Sequence, residues 1–266
     1  MPNSPNAVSS KLVKTRLLVR DRELSRHVPD TREFARRVLA EMLDRYGLVY
    51  LKPDTGSLGV GVMRIEKRGR EYRCQSGVNM FAFRSVSGMF GFVRSRMGGR
   101  RYLIQQGIRT LTREGRPFDF RVMIQKNPSR RWEPTGTVGR VARPRKAVTN
   151  GSQGGTIFRA VDLLRPFARA DGADKAVLRR MDRLARRTAA RFGRAYPAMN
   201  ELGLDIAVDR RLYPWILEVN TRPDPCPFTK LDDNSAIRKI VAYGRAYGRK
   251  YELTCSRAKK APKPDR

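Results

Sequence analysis

Histidine is all but missing: His27 is the single one among 266 residues. That argues against a histidine-based triad and against a metal centre built from imidazoles. Cysteine is nearly as scarce. Cys74, Cys226 and Cys255 lie far apart, are odd in number and show no CxxC spacing. The expectation is neither a disulfide scaffold nor a cysteine zinc site, and a reducing, cytoplasmic compartment. No stretch approaches the roughly 18–20 apolar residues of a spanning helix, so no membrane insertion is expected. Leu17-Leu18-Val19 is too short for the apolar region of a signal peptide. Acids are the last shortage: 25 Asp and Glu stand against 57 Lys and Arg, 44 of them Arg, for a net charge of +32.

Such a balance is the electrostatic footprint of a nucleic-acid binder. The distribution weakens that reading. Outside a basic end at residues 257–266 the cations are spread along the chain, with no zinc-finger spacing and no aromatic-basic RRM signature. Nucleic acid is therefore not expected as the main partner. An anionic small molecule or a polyanionic surface fits the charge equally well. At 40% hydrophobic residues the chain has ample material for a core.

The patterning reads as mixed α and β. A helix is expected from Thr31, with Phe34, Val38, Leu39, Met42 and Leu43 on one face and Gly47 as its stop. Leu48 to Leu51 reads as a buried strand closed by Lys52-Pro53. Gly61 to Ile65, Tyr102 to Gln105 and Phe120 to Ile124 read as further strands. The longest helix spans Asp174 to Tyr196, and a final one lies near Ser235 to Tyr247. With no repeat and no convincing linker, residues 31–250 read as one continuous catalytic unit. Residues 1–30 form an N-terminal extension, and 251–266 a basic, disordered tail.

Three segments carry chemistry. In the first, Lys52 leaves a strand into a loop with Gly56, Gly59 and Gly61. Glycines let backbone N–H groups approach phosphate oxygens, and the lysine adds a point charge. No Gly-Lys-Ser/Thr opens a helix here, so this is not a Walker A loop. Ordinary glycine-rich turns look similar, and the loop alone decides nothing.

The second segment is a pair of alternating runs, Glu201 to Asp209 and Tyr213 to Asn220. A hairpin with Asp209 opposite Pro214 pairs residues whose numbers sum to 423. Leu204, Ile206 and Val208 then face Val219, Leu217 and Trp215 on the apolar side. The same register sets Asp205 opposite Glu218 on the polar side, with Asn220 two residues along. Two carboxylates and an amide oxygen suit Mg²⁺, or Mn²⁺, which keeps waters and adds substrate phosphates. A solvated amphipathic hairpin is the alternative. The third segment, Pro117 to Gln125, places Asp119 and Arg121 on one strand face, as a phosphate-holding arginine with its orienting acid or as an ordinary ion pair.

Taken in order, Tyr50-Leu51-Lys52-Pro53, the Gly56–Gly61 loop, Gln105-Gln106-Gly107-Ile108, Phe118-Asp119-Phe120-Arg121, Asp205 and Glu218-Val219-Asn220 resemble the ATP-grasp superfamily. The nearer resemblance is to its YheC/YheD-like (endospore coat-associated) family. It runs from about Leu17 to Tyr247 and includes Trp132-Glu133-Pro134-Thr135-Gly136, Val141-Ala142-Arg143, Thr149-Asn150 with Gly154-Gly155, and Phe228 after Thr221-Arg222-Pro223.

The resemblance implies an α+β ATP-grasp fold whose two lobes, with a boundary near 105–110, grip ATP. It assigns Lys52 to the phosphates, with Gly56, Ser57, Leu58, Gly59 and Gly61 covering them. Gln105, Gln106, Gly107 and Ile108 border adenine, and Asp119 joins the nucleotide site. Arg121 faces the transferred phosphoryl group, while Asp205, Glu218 and Asn220 hold Mg²⁺. Arg143, Asn150, Gly154, Gly155 and Arg222 line the acceptor side.

The implied reaction is carboxylate activation to an acyl phosphate, followed by attack of an amine or thiol. The acceptor is expected to be a small-molecule or peptide carboxylate, and spore-coat association follows from the resemblance alone. Two departures stand out. Related loops often carry Lys where this chain has Val60, and the N-terminal domain of longer relatives is expected to be absent or much reduced. The alternatives are an ATP-binding, non-ligating structural or regulatory protein at a polyanionic surface, and a nucleic-acid binder on the same scaffold.

Overall fold

The computed structural model describes residues 7–144, 155–255 and 258–261. The chain opens with α1 (Lys11–Val19), capped by the Ser10 hydroxyl, which accepts from Val13 N. A six-stranded antiparallel sheet follows, from β1 (Thr31–Glu33), β2 (Leu48–Pro53), β3 (Met63–Arg68), β4 (Glu71–Ser76), β5 (Asn79–Phe83) and β6 (Tyr102–Gln106). Its order is β1-β6-β2-β3-β4-β5. Helices α2 (Arg36–Tyr46) and α3 (Val86–Met97) cover it. Leu39, Met42 and Leu43 of α2 and Met89, Val93 and Met97 of α3 pack on Val49, Leu51, Ile65 and Ile104.

The second sheet contains β7 (Thr112–Arg113), β8 (Arg116–Lys126), β9 (Trp132–Val141), β10 (Thr156–Arg159), β11 (Glu201–Val208), β12 (Pro214–Asn220) and β13 (Lys259–Lys260). Its order is β12-β11-β8-β9-β10-β13, with β7 paired to β8. Both faces are covered. On one, Phe118, Phe120, Val122 and Ile124 of β8 meet α4 (Ala160–Leu164) and the amphipathic α5 (Ala173–Ala195). On the other, Met123 meets Phe228 and Ile237 and Ile240 of α6 (Ser235–Ala246). The alternation of β8 thus sends even positions to one core and odd positions to the other side. Every residue of β11 is buried, acids included.

The structure corrects several sequence expectations. Thr31 begins a strand, not a helix: Thr31 to Glu33 pair with Gln105 to Leu103, and α2 starts at Arg36. The strand read from Gly61 begins at Met63, because Gly61 and Val62 still belong to the loop. The hairpin register holds for Leu204–Val219 and Asp205–Glu218, then slips by one at a bulge, pairing Ile206 with Ile216 and Val208 with Pro214. Ile216, not Leu217 or Trp215, therefore enters the core.

The first thirty residues are not a mere extension. Leu18, Leu24 and Val28 belong to the core under the second sheet. Nor are the described residues beyond 250 a loose tail. Tyr251 packs beside α6, Cys255 bonds Cys226, and Lys259 pairs with Thr156. That single disulfide is a pairing that the odd number and wide spacing of the cysteines did not point to; Cys74 is free and buried. His27 is buried, bonded through Nδ1 to the Pro214 carbonyl at 2.8 Å and stacked on Tyr213.

Candidate active site

A cleft of about 350 Å³ opens between the two sheets. Its second-sheet wall follows from strand register. Asp205 of β11 lies opposite Arg121 of β8, and Asp119 of β8 opposite Arg140 of β9. The side chains complete what the register begins. Arg121 Nε donates to Asp205 Oδ1 at 2.6 Å. Arg140 grips Asp119 with two bonds of 2.7 and 2.6 Å and reaches Asp205 Oδ1 at 3.1 Å. Bidentate pairs of this kind fix both partners in angle as well as distance.

The electrostatics follow from burial and these partners. Burial by itself would raise the Asp205 pKa, but the charges of Arg121 and Arg140 outweigh it and bring it to about 2. Burial opposes the charge of Arg140, yet Asp119 and Asp205 together raise its pKa well above the ordinary arginine value. Lys52 is lowered by burial, with Glu218 acting against the shift.

Lys52 Nζ donates to Gln105 Oε1 at 2.6 Å, and Gln105 Nε2 donates to Thr31 Oγ1 and to the Leu217 carbonyl. Gln105 thus spans from the first sheet to the bulge of β12 and orients Lys52. Gln106 Oε1 accepts from Asp30 N at 3.3 Å. Glu218, opposite Asp205, has Lys11 and Lys14 Nζ at 3.9 and 3.8 Å, beyond hydrogen-bond range. Asn220 Nδ2 lies 3.4 Å from Asp205 Oδ2 and 3.3 Å from the Gly203 carbonyl.

Of the residues singled out in the sequence, Lys52, Gly56, Ser57, Leu58, Gly59, Gln105, Gln106, Ile108, Asp119, Arg121, Asp205, Glu218, Asn220 and Arg222 line this one cleft. Others do not. Gly61, near the end of the loop, has a positive φ of +77°, and a Cβ there would meet the Tyr102 hydroxyl at 2.7 Å. Gly107 is pressed against Leu48, whose Cγ would lie 2.2 Å from an added Cβ. At both positions packing requires a glycine, since an added Cβ would collide with its neighbours. Arg143 is exposed beyond the end of β9, and the buried Gly155 accepts from Lys259 N. Asn150 and Gly154 lie outside the described residues.

Sequence reasoning missed Arg140, Lys11 and Lys14. A hairpin turn around Asn127 to Arg131, with Lys126 opposite Trp132, would have pointed to Gly139 as the partner of Asp119. The register shift between Met123 and Ile124 brings Arg140 there instead. The two lysines come from a distant segment and left no local signal.

Among the described residues no cluster of three His, Cys, Asp or Glu side chains could cage a metal. What the cleft offers is sparser: Asp205, Glu218 and, with its amide turned, the oxygen of Asn220. Such a donor set fits a Mg²⁺ ion that keeps waters and takes further oxygens from phosphate, not an all-protein site.

Comparison with known proteins now decides the family. Residues 3–250 match the YheC/D like ATP-grasp family. This chain belongs to that family. It is 25% identical over 193 residues to the endospore coat-associated protein YheD of Bacillus subtilis (strain 168). That match covers 70% of this chain and 42% of the relative, so the chain spans less than half of the curated relative's length.

Two solved structures share the fold. D-cycloserine synthetase DcsG superposes with a TM-score of 0.54 at 13% identity, over 89% of this chain and 70% of that one. N5-carboxyaminoimidazole synthase from Aspergillus clavatus, in complex with ADP and 5-aminoimidazole ribonucleotide, gives 0.53 at 13% identity, over 95% and 54%. The fold is thus the two-lobed α+β ATP-grasp architecture. No helix among the described residues is long and apolar enough to cross a membrane.

Proposed function

We propose that this ATP-grasp protein is an ATP- and Mg²⁺-dependent ligase that joins a carboxylate to an amine or thiol. The observation that carries the reading is the cleft itself. A glycine loop and Lys52 on one lobe face the Arg121–Arg140–Asp119–Asp205 network and Glu218 on the other. In-line phosphoryl transfer needs positioned cations more than a protein nucleophile, so the near-absence of histidine is no obstacle.

In this reading the loop's backbone N–H groups and Lys52 hold the phosphates, while Gln105 keeps Lys52 aimed into the cleft. Arg121, braced by Asp205, faces the transferred phosphoryl group. Asp205, Glu218 and Asn220 would hold Mg²⁺, which supplies charge neutralisation at the phosphate oxygens when bound. A carboxylate oxygen of the acceptor attacks the γ-phosphorus, the bond to the β–γ bridging oxygen breaks, and ADP leaves. An amine or thiol then attacks the acyl carbon, phosphate departs, and the nucleophile's proton passes to solvent.

Arg222, exposed on the cleft wall, favours an anionic acceptor. The two structural neighbours support the class: one is named a synthetase, and the other holds ADP. The test is a panel of carboxylates paired with amines and thiols, incubated with ATP and Mg²⁺, followed for ADP and phosphate and for product by mass spectrometry. Coupled release of both with a condensed product is expected. A protein that binds no ATP and releases no ADP across the panel would refute the proposal.

A further inference from the structure

The cations that are spread along the sequence gather, in space, on α5. This helix carries seven Arg and one Lys in 23 residues, where the whole chain has 57 in 266, and only two Asp. Its inner side packs Met181, Leu184 and Phe192 into the core of the second sheet. Its outer side is cationic. Lys175, Arg179, Arg183, Arg186 and Arg194 are exposed, and at 3.6 residues per turn they fall within about 100° of the circumference, in a stripe about 28 Å long. Like charges four residues apart repel and weaken a helix, as at Lys175–Arg179 and Arg179–Arg183. Carboxylates do not relieve them. Among the described residues, Arg187 alone of the eight forms ion pairs, with Asp21 at 2.7 Å and Glu23 at 2.8 Å.

Turns with paired arginines extend the stripe at both ends. Toward the start of α5, the charges of Arg180 and Arg26 both act on His27 and Tyr213. Tyr213 closes the β11–β12 turn, which exposes Arg210 and Arg211. Toward its end, Arg186 donates to the Trp132 carbonyl at 3.0 Å, and Gly193 lies against the Trp132 ring. Trp132 follows the exposed Arg130 and Arg131 of the β8–β9 turn. The two turns stand at opposite ends of the sheet, because β8 and β11 are antiparallel.

The chemistry of this face selects its partner. Among the described residues no large apolar side chain is exposed on α5. Protein interfaces are anchored by such groups, and a helix lying in a membrane surface needs an apolar side. Arginine, with its planar fork, suits phosphate. Duplex DNA offers one negative charge per roughly 1.7 Å of axis, and a 23-residue helix, about 34 Å long, matches about one turn of it. The helix holds no Asn or Gln to read adenine, so the contacts are to backbone and independent of sequence.

We propose that the outer face of α5 is a docking surface for the phosphate backbone of duplex DNA. It lies on the far side of the second sheet from the catalytic cleft: Phe120 and Val122 of β8 belong to the core beneath α5, while Asp119 and Arg121 line the cleft. The docking face therefore does not depend on the nucleotide reading.

The test follows the anisotropy of a fluorescein-labelled DNA duplex of mixed sequence as NaCl is raised. Wild type is compared with Arg179→Gln/Arg183→Gln/Arg194→Gln and with Arg70→Gln/Arg84→Gln/Arg94→Gln, which removes the same charge from exposed positions of the first lobe. Each lost phosphate contact lowers the slope of log K against log salt by about 0.9. The α5 variant should lose roughly two to three units of slope and at least about tenfold in affinity at ~0.1 M salt, and the first-lobe variant less than about twofold. Arg179→Lys/Arg183→Lys/Arg194→Lys should keep the wild-type slope, because counterion release counts charge. A loss in that lysine variant equal to the glutamine one would show a damaged helix and overturn the proposal. Equal losses in the two glutamine variants would overturn it as well, as would a wild-type protein that binds no DNA. Vesicles of phosphatidylglycerol bound more tightly than the duplex, with the same dependence on α5, would give the face to a membrane surface instead.

Discussion

Replacing Arg140 by Met removes a guanidinium that touches both aspartates of the cleft. The side chain is 2% exposed, and its bonds to Asp119 are 2.7 and 2.6 Å. Methionine fills much of the same space, so the loss is chiefly electrostatic, leaving a buried carboxylate short of its partner. Breaking such a pair costs about 3–5 kcal/mol, a large share of the roughly 5–15 kcal/mol that holds a domain folded.

Asp205 supplies a second reading of the same variant. Its pKa lies at about 2 against an ordinary 3.8, so its charged form is favoured by the fold. A depressed carboxylate contributes stability that is present above the unfolded pKa and lost as pH falls toward the folded one. The shift is worth about 2 kcal/mol, lost between roughly pH 4 and pH 2. Without Arg140 the depression shrinks, and so does that acid loss.

Urea unfolding at pH 7 and at steps down to pH 2, followed by far-UV circular dichroism, measures both effects. Arg37→Met, in an exposed ion pair with Glu41, is the control and should change nothing measurable. The double variant Arg140→Met/Asp119→Asn should recover part of the loss, since it removes the charge that Arg140 no longer offsets. An Arg140→Met protein within about 1 kcal/mol of wild type at pH 7 would refute the claim that this network bears the fold. Parallel acid curves for the two proteins would refute the role given to Arg140 in holding Asp205.

Three further outcomes are expected. Glu218→Gln should abolish Mg²⁺-dependent ADP release while leaving the unfolding midpoint near that of wild type, because the residue is only half-buried; unchanged turnover would remove it from the site. The Cys226–Cys255 bond closes a span of 29 residues, which corresponds to about 3–4 kcal/mol of loop entropy. Reductant should lower the urea midpoint, and alkylation of the unfolded, unreduced protein should label Cys74 alone; three labels would disprove the bond. Gly107→Ala should destabilise by about 1–3 kcal/mol, since the added carbon meets Leu48 on both side chain and backbone. Its ATP affinity, measured on the folded fraction, should not move, whereas a selective loss would return Gly107 to the nucleotide site.

The parts of this protein that were legible in its sequence are those with short periods. The apolar stripe from Val177 to Phe192 appears as α5, and the alternation around Phe120 as β8. The opposition of Asp205 and Glu218 followed from counting across a hairpin, and the structure keeps it. The same count failed at the very next residue, Ile206. A bulge obeys backbone twist and neighbouring contacts, and the Leu217 carbonyl released there accepts from Gln105. Thr31 to Glu33 misled for a related reason: their propensity allows a helix, but pairing with β6 satisfies their backbone as a strand.

By itself the sequence determined which residues share a face along an uninterrupted strand, because side chains alternate with a period of two; which residues meet across strands was left to register and bulges. It also limited the chemistry, since a chain with one histidine and few acids must work with lysine, arginine and two or three carboxylates. Only the tertiary structure decided which of the 57 basic residues belong to the cleft. Arg140 arrived through a one-residue shift in β9, and Lys11 through a helix end fastened to Asp54 some forty residues later in the chain. Ion pairing depends on distance in space, and no local pattern encodes a contact made between segments so far apart. The scarcity of acids took on its meaning there too. Asp119 and Asp205 are each engaged by arginine, and Glu218 is left facing three lysines, with charge to spare for an anion.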